Sequence, residues 1–197
     1  MDEVLPGIRH WTAKHPRIGI EVGCHWVPAS GALVDPLLPP EGAEAFREQA
    51  PDRILLSNRH HLRHSEPLAE ELGCSIHCPE PGLHEFEDGP DVEGFAFGAE
   101  AAPGIRALEV GAICPDESAL LITEARALLI ADGVIHYGEE LSFVPDDYLG
   151  DDPEGVKRGL RAAYSELLDH DFDNLLFAHG NPLVGGGKQA LRAFCAG

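Results

Sequence analysis

What most constrains this chain is a series of short apolar runs, each closed by a turn-forming or charged residue. They are ALVD (32–35), ILLS (54–57), SIHC (75–78), IRALEV (105–110), SALLIT (118–123), ALLIADGVI (127–135) and NLLFAH (174–179). Their length and their Gly, Pro and Asp borders favour strands over buried helices. Helical patterns fall between them one at a time. EGAEAFREQ (41–49) is one, and EPLAEEL (66–72) another, with Ser65 as N-cap and Gly73 as stop. The clearest begins at Asp152, with Pro153 in the first turn and Val156, Leu160, Ala163, Leu167 and Leu168 on one face. A β-rich chain with helices inserted singly fits two sheets packed face to face with helices outside. The expected fold is therefore α/β (α+β), an αββα sandwich with residues 1–197 in one domain. At 197 residues and 44% hydrophobic, the chain has enough apolar material for such a core. Residues 79–104, rich in Gly, Pro and acid, predict a surface loop or short hairpin.

Composition excludes some classes of function. A formal net charge of -20 argues against nucleic acid as a partner, because phosphates would be repelled. No window approaches the ~18 apolar residues of a membrane span, and MDEVLPGIRHW lacks the apolar segment of a secretory signal. The expectation is a cytoplasmic protein that meets a small molecule rather than a membrane. The five cysteines are odd in number and scattered, unlike a disulfide framework. Cys74 and Cys78 lack the second pair that would complete a zinc cluster.

Chemistry is expected where strands end in polar groups. Four such ends stand out: Asp35 after ALV, the segment NRHHLRH (58–64) after ILLS, Asp132 after LLIA, and His179 after LLFA. Any one alone is more simply a turn-capping Asp or a hydrogen-bonded His; four together point to a site. Cys114 in ICPDE, with Asp116 or Glu117, offers further ligand atoms, though a strand-edge turn explains that segment as well. GNPLVGGGKQAL (180–191) has glycines and Lys188 but not the spacing of a phosphate loop, and reads as a flexible rim to the pocket.

Taken in order, G-x-L-V-D, then ILLSNRHHLR, then A-D-G, then A-H-G, the chain resembles the metallo-β-lactamase superfamily, which includes glyoxalase II-type hydrolases. The resemblance runs from about Leu5 to Phe194 and implies the same αββα sandwich. It also implies a metal site, to be carried over residue by residue. SNRHHLR laid on T-H-x-H-x-D-H puts Asn58 at the first His, His60 at the second, Leu62 at the Asp and Arg63 at the last His. AICPDESALLI puts Ile113 at the next His, while Asp132 and His179 match the final Asp and His. Of the seven ligands implied, His60, Asp132 and His179 are kept.

Leu62 and Ile113 cannot coordinate a metal, and Arg63 places a fixed positive charge where a second cation would lie. At ~4 Å and an effective dielectric of about 20, that repulsion is about 4 kcal/mol per unit charge. A binuclear centre is not expected, and at most one zinc ion is. Two readings follow. In one, the chain hydrolyses a small ester, thioester or lactone, with one weakly held metal at His60, Asp132 and His179 and with Asp132 orienting the attacking water. In the other, it is a metal-free binding or scaffold protein in which Arg63 pairs with Asp132 in place of the metal. There Arg59, Arg63, His61 and His64 would recognise a small anionic ligand. His61 and His64 are also substitute ligands for a metal.

Overall fold

The computed structural model describes the whole chain, Met1–Gly197. One sheet holds β1 (Asp2–Leu5), β2 (Ile8–Lys14), β3 (Glu21–Val27), β4 (Ala32–Val34), β5 (Arg53–Leu55), β6 (Ser75–Pro79) and β7 (Val92–Phe95), side by side in chain order. Pairing is antiparallel from β1 to β4 and parallel from β4 to β7. The second sheet holds β8 (Glu100–Ala102), β9 (Ile105–Glu109), β10 (Ser118–Ile122), β11 (Ala127–Ile130) and, last in the chain, β14 (Asn174–Phe177), in the order β14-β11-β10-β9-β8. Between them in sequence, β12 (Val134–Ile135) and β13 (Ser142–Phe143) form a separate pair. The α-helices are α1 (Ser65–Leu72), α2 (Pro153–Leu167) and α3 (Gly187–Ala196).

Alternation along the strands explains why the apolar runs are continuous. Leu129 of β11 and Leu120 of β10 face the first sheet, packing with Val34 and Leu55. Their neighbours Leu128, Ile130 and Leu121 face outward against Leu160, Tyr164 and Leu167 of α2 and Leu191 of α3. Strands covered on both faces need apolar residues at every position. Leu68 of α1 and Trp11, Trp26 and Ile54 make the third layer on the outer face of the first sheet. The two sheets and their outer helices are the expected sandwich.

Local signals held where a cap or a close contact enforces them. Asp152 caps α2 by accepting the Gly155 N–H at 2.9 Å, with Pro153 in the first turn. Gly73 ends α1 with a left-handed φ of 70°. At its other end the cap is His64 and not Ser65, whose buried hydroxyl has no partner. Residues 41–49 form only a 3-10 turn, Gly42–Phe46. Pro39, Pro40 and Pro51 bracket too short a run for an α-helix to propagate. Residues 79–104 are more structured than a loop, holding a 3-10 turn (Glu80–Phe86), β7 and β8. The glycine-rich 180–191 segment leads directly into α3, whose cap is Gly186. No helix is long and apolar enough to cross a membrane.

The two sheets are joined by backbone at the edge that carries the polar strand ends. Gly23 N–H of β3 donates to Ala178 O, just after β14, at 2.8 Å. A Cβ at Gly23 would lie 2.2 Å from Phe177 O, so only glycine permits this approach.

Candidate metal centre

The four polar strand ends meet at this edge. Asp35 follows β4, residues 57–61 follow β5, Asp132 follows β11, and His179 follows β14. Asn58, in extended conformation, caps a 3-10 turn (Arg59–His61) by accepting the His60 N–H through Oδ1 at 2.9 Å. Its Nδ2 donates to Asp132 Oδ2 at 2.7 Å. The turn swings His61 inward, where Nε2 lies 3.1 Å from Asp132 Oδ1. His179 Nε2 approaches the same oxygen at 2.9 Å. On its far side, the His61 Nδ1 is 3.0 Å from Asp35 Oδ2 and 2.8 Å from Ser57 Oγ. Asp35 is fully buried and is further held by the Ser57 N–H at 2.8 Å and the Ser57 hydroxyl at 2.6 Å.

These contacts set the charges. Burial works against a charged His61, but Asp132 and Asp35 on either side outweigh it and raise its pKa to about 9. Burial would raise both carboxylates, yet His61 pulls Asp35 below its ordinary range, and His61 with His179 pulls Asp132 well below it. Burial lowers His179, partly opposed by Asp132. In the absence of a cation, the cluster is an Asp–His–Asp chain with a neutral imidazole beside it.

The nearest ligand atoms of His61, Asp132 and His179 all lie within 4.8 Å of one another. His60 lies outside this group: it points from the turn into solvent. Arg63 does not pair with Asp132, which corrects the expected replacement of the metal by a guanidinium. Its backbone is left-handed, with φ of 47°, and its Nη1 donates to Gly23 O at 2.8 Å and Asp35 O at 2.6 Å. Arg59 is turned away as well, paired through its guanidinium with buried Asp116 and 4.0 Å from Glu85. His64 Nδ1 accepts the Leu38 N–H at 3.1 Å, outside the cluster. Leu62 and Ile113 pack against hydrophobic layers. The functional residues that the sequence alone does not assign are Ser57, Asn58 and the role of Asp35. An Asn directly before the Arg59–His61 turn is an N-cap signal that would have indicated it.

No family model matches the chain, and no curated protein does. Solved structures do. The DIM-1 metallo-β-lactamase superposes with a TM-score of 0.73 at 13% identity, covering 98% of this chain and 93% of that one. The chain has the metallo-β-lactamase fold. A metallo-β-lactamase family protein from Thermus thermophilus has a TM-score of 0.65 at 17% identity, covering 98% and 79%. The protein TTHA1623, solved in a di-iron-bound form, has a TM-score of 0.62 at 20% identity, covering 93% and 92%.

The fold family implies metal, and the residues here fit one ion. Ligand atoms around a single zinc, at about 2.0–2.2 Å from it, lie roughly 3.3–3.5 Å from one another. The observed Nε2–Oδ1 separations of 3.1 and 2.9 Å are hydrogen-bond distances a few tenths of an ångström shorter, and all three ligand atoms lie within 4.8 Å of one another. Asp35, 3.0 Å from Nδ1 of His61, stands where an outer carboxylate would orient a metal-binding imidazole. At the other positions where the resemblance implies ligands, Asn58 is committed to Asp132, Arg63 to backbone carbonyls, and Leu62 and Ile113 have no side-chain donor atoms.

Proposed function

We propose that this chain is a hydrolase of a small ester, thioester or lactone that works with a single divalent cation held by His61, Asp132 and His179. The observation that carries the reading is the His61 arrangement: one ring nitrogen anchored to Asp35, the other within reach of Asp132, with His179 completing the group. Two imidazoles and a carboxylate leave room for further ligands, as catalytic sites with three protein ligands do. They also suit iron, as a two-histidine, one-carboxylate set with open positions. When bound, the cation supplies Lewis acidity toward an acyl carbonyl.

The chain's own groups do the rest. Asp35 holds the proton on His61 Nδ1 and so keeps Nε2 free. Asn58 Nδ2 occupies Asp132 Oδ2 and leaves Oδ1 to the ion. Arg63 keeps the backbone at Gly23 and Asp35 in place beneath the site.

The charge balance favours a second reading. With His61 protonated between two carboxylates, the cluster satisfies itself without a cation, which suits a metal-free binding or scaffold protein. Chelator-stripped protein titrated calorimetrically with Zn²⁺, Mn²⁺ and Fe²⁺ separates the two. One ion per chain, lost in His61→Ala, Asp132→Ala and His179→Ala, is expected. Turnover of an ester, thioester or lactone panel should follow the same ion. Wild type that takes up no ion stoichiometrically would overturn the hydrolase reading and leave the metal-free one.

A further inference from the structure

Three consecutive polar residues, Asp116, Glu117 and Ser118, are completely buried at the entrance to β10. Their contacts alternate, as side chains do along an extended backbone. Asp116 and Ser118 serve the loop after β5. Asp116 Oδ2 accepts the Arg59 N–H at 2.6 Å and Oδ1 accepts from the Arg59 guanidinium. Ser118 donates both its N–H (3.0 Å) and its hydroxyl (2.7 Å) to Ser57 O. Glu117 serves the opposite side. Its Oε1 accepts the N–H of Gly133, the residue after Asp132, at 2.9 Å, and its Oε2 accepts the N–H of Ile113 at 3.2 Å.

This segment therefore grips both loops that bear the site: residues 57–61, which carry His61, and residues 132–133, which carry Asp132. The Ile113 loop, where the resemblance places a histidine ligand, contributes only a backbone N–H. A Cβ at Gly133 would lie 2.4 Å from Leu160 Cδ2 and 3.1 Å from Glu117 Oε1, so glycine is what lets the carboxylate approach. Burial, then the charge of Asp132, raises the Glu117 carboxyl to about 7. What offsets so unfavourable a place is the pair of backbone N–H groups that the carboxyl holds.

We infer that Asp116, Glu117 and Ser118 are positioning residues, a polar brace that sets His61 against Asp132 and so the affinity of that pair for a divalent cation. The affinity part rests on the metal reading above; the brace itself does not. Glu117→Gln tests it, because the amide keeps the shape but offers one acceptor, and its NH₂ opposes the second N–H. Leu68→Ala, a cavity in the outer layer under α1 that removes none of the brace's hydrogen bonds, serves as a destabilised control.

Two quantities are read well below the melting temperature: hydrogen exchange at the Gly133 and Ile113 amides, and Zn²⁺ affinity by calorimetry. Glu117→Gln is expected to lose protection at one or both amides and to bind Zn²⁺ about 10- to 100-fold more weakly, with Leu68→Ala near wild type in both. Unchanged protection, or lost protection with unchanged affinity, overturns the inference. If wild type takes up no Zn²⁺, the proposed function fails and the brace is judged on apo protein. There the His61 and His179 ring nitrogen signals should shift in Glu117→Gln and not in Leu68→Ala; constant signals overturn it. Should Glu117→Gln not fold, Asp116→Asn is read the same way, with the Arg59 amide as the exchange reporter.

Discussion

Replacing Asp35 by Asn should separate anchoring of His61 from every other role of this position. The carboxylate accepts three hydrogen bonds, from the Ser57 N–H (2.8 Å), the Ser57 hydroxyl (2.6 Å) and His61 Nδ1 (3.0 Å). An asparagine keeps one acceptor oxygen and turns an NH₂ toward a group that also donates. Hydrogen bonds to a charged group contribute about 1.5–3 kcal/mol each, and breaking a buried ion pair at one end costs about 3–5 kcal/mol. The expected loss is on the order of 3–5 kcal/mol, a large part of a typical margin of about 5–15 kcal/mol. Backbone strain is not the cause. Asp35 has φ of 48°, a left-handed conformation that Asn adopts readily. Asp35→Ala should lose a further ~1–2 kcal/mol from that conformation. Urea denaturation at neutral pH measures both variants. Zinc calorimetry on the Asn variant should show affinity lowered about 10- to 100-fold, because the His61 ring is no longer oriented. An Asn variant within about 0.5 kcal/mol of wild type, with equal zinc affinity, would refute the anchoring argument.

Arg63→Ala should destabilise the protein by on the order of 3 kcal/mol, through the two carbonyls that Nη1 bridges. In a double-mutant cycle with Asp132→Ala, measured by denaturation, the coupling should stay below about 1 kcal/mol; a much larger value would restore a direct Arg63–Asp132 pair. For the apo protein, His61 is raised to about 9 against an ordinary value of 6.5, so its stabilisation is fully present below the unfolded pKa. It is lost as pH rises from about 6.5 through about 9, on the order of 3 kcal/mol in all. Melts across this range should show that decline in wild type and a flatter profile in His61→Gln; parallel profiles would contradict the charge assigned to His61.

Much of the architecture was legible because strand patterns are local. Apolar runs such as SALLI and NLLF, closed by polar residues, are strands here because both of their faces are covered. The first three strands were not legible, since IRHWTAK mixes exposed polar and buried residues and is specified by pairing across β2 and β3. Asp132 and His179 were legible as ligand candidates from their positions after buried strands. The brace at 116–118 was not, because an acid before a strand ordinarily caps a turn, and only packing reveals that Glu117 is shut away from water.

The sequence by itself determined which strand ends carry polar groups, and in what order they would gather. Tertiary structure alone decided which of two adjacent histidines enters the site. Laid on T-H-x-H-x-D-H, the motif of the family the chain resembles, SNRHHLR selects His60. Asn58 caps a 3-10 turn instead, and in a turn of about three residues the chain rotates some 120° at each position. His61 therefore faces Asp132 while His60 faces solvent. The same holds for Arg63, which a left-handed backbone aims at Gly23 and Asp35. The Asn58 cap marks the turn locally, but not which imidazole enters the site or where Arg63 points, because the partners that hold these side chains lie 22 to 74 residues away in the chain, in Asp35, Gly23 and Asp132.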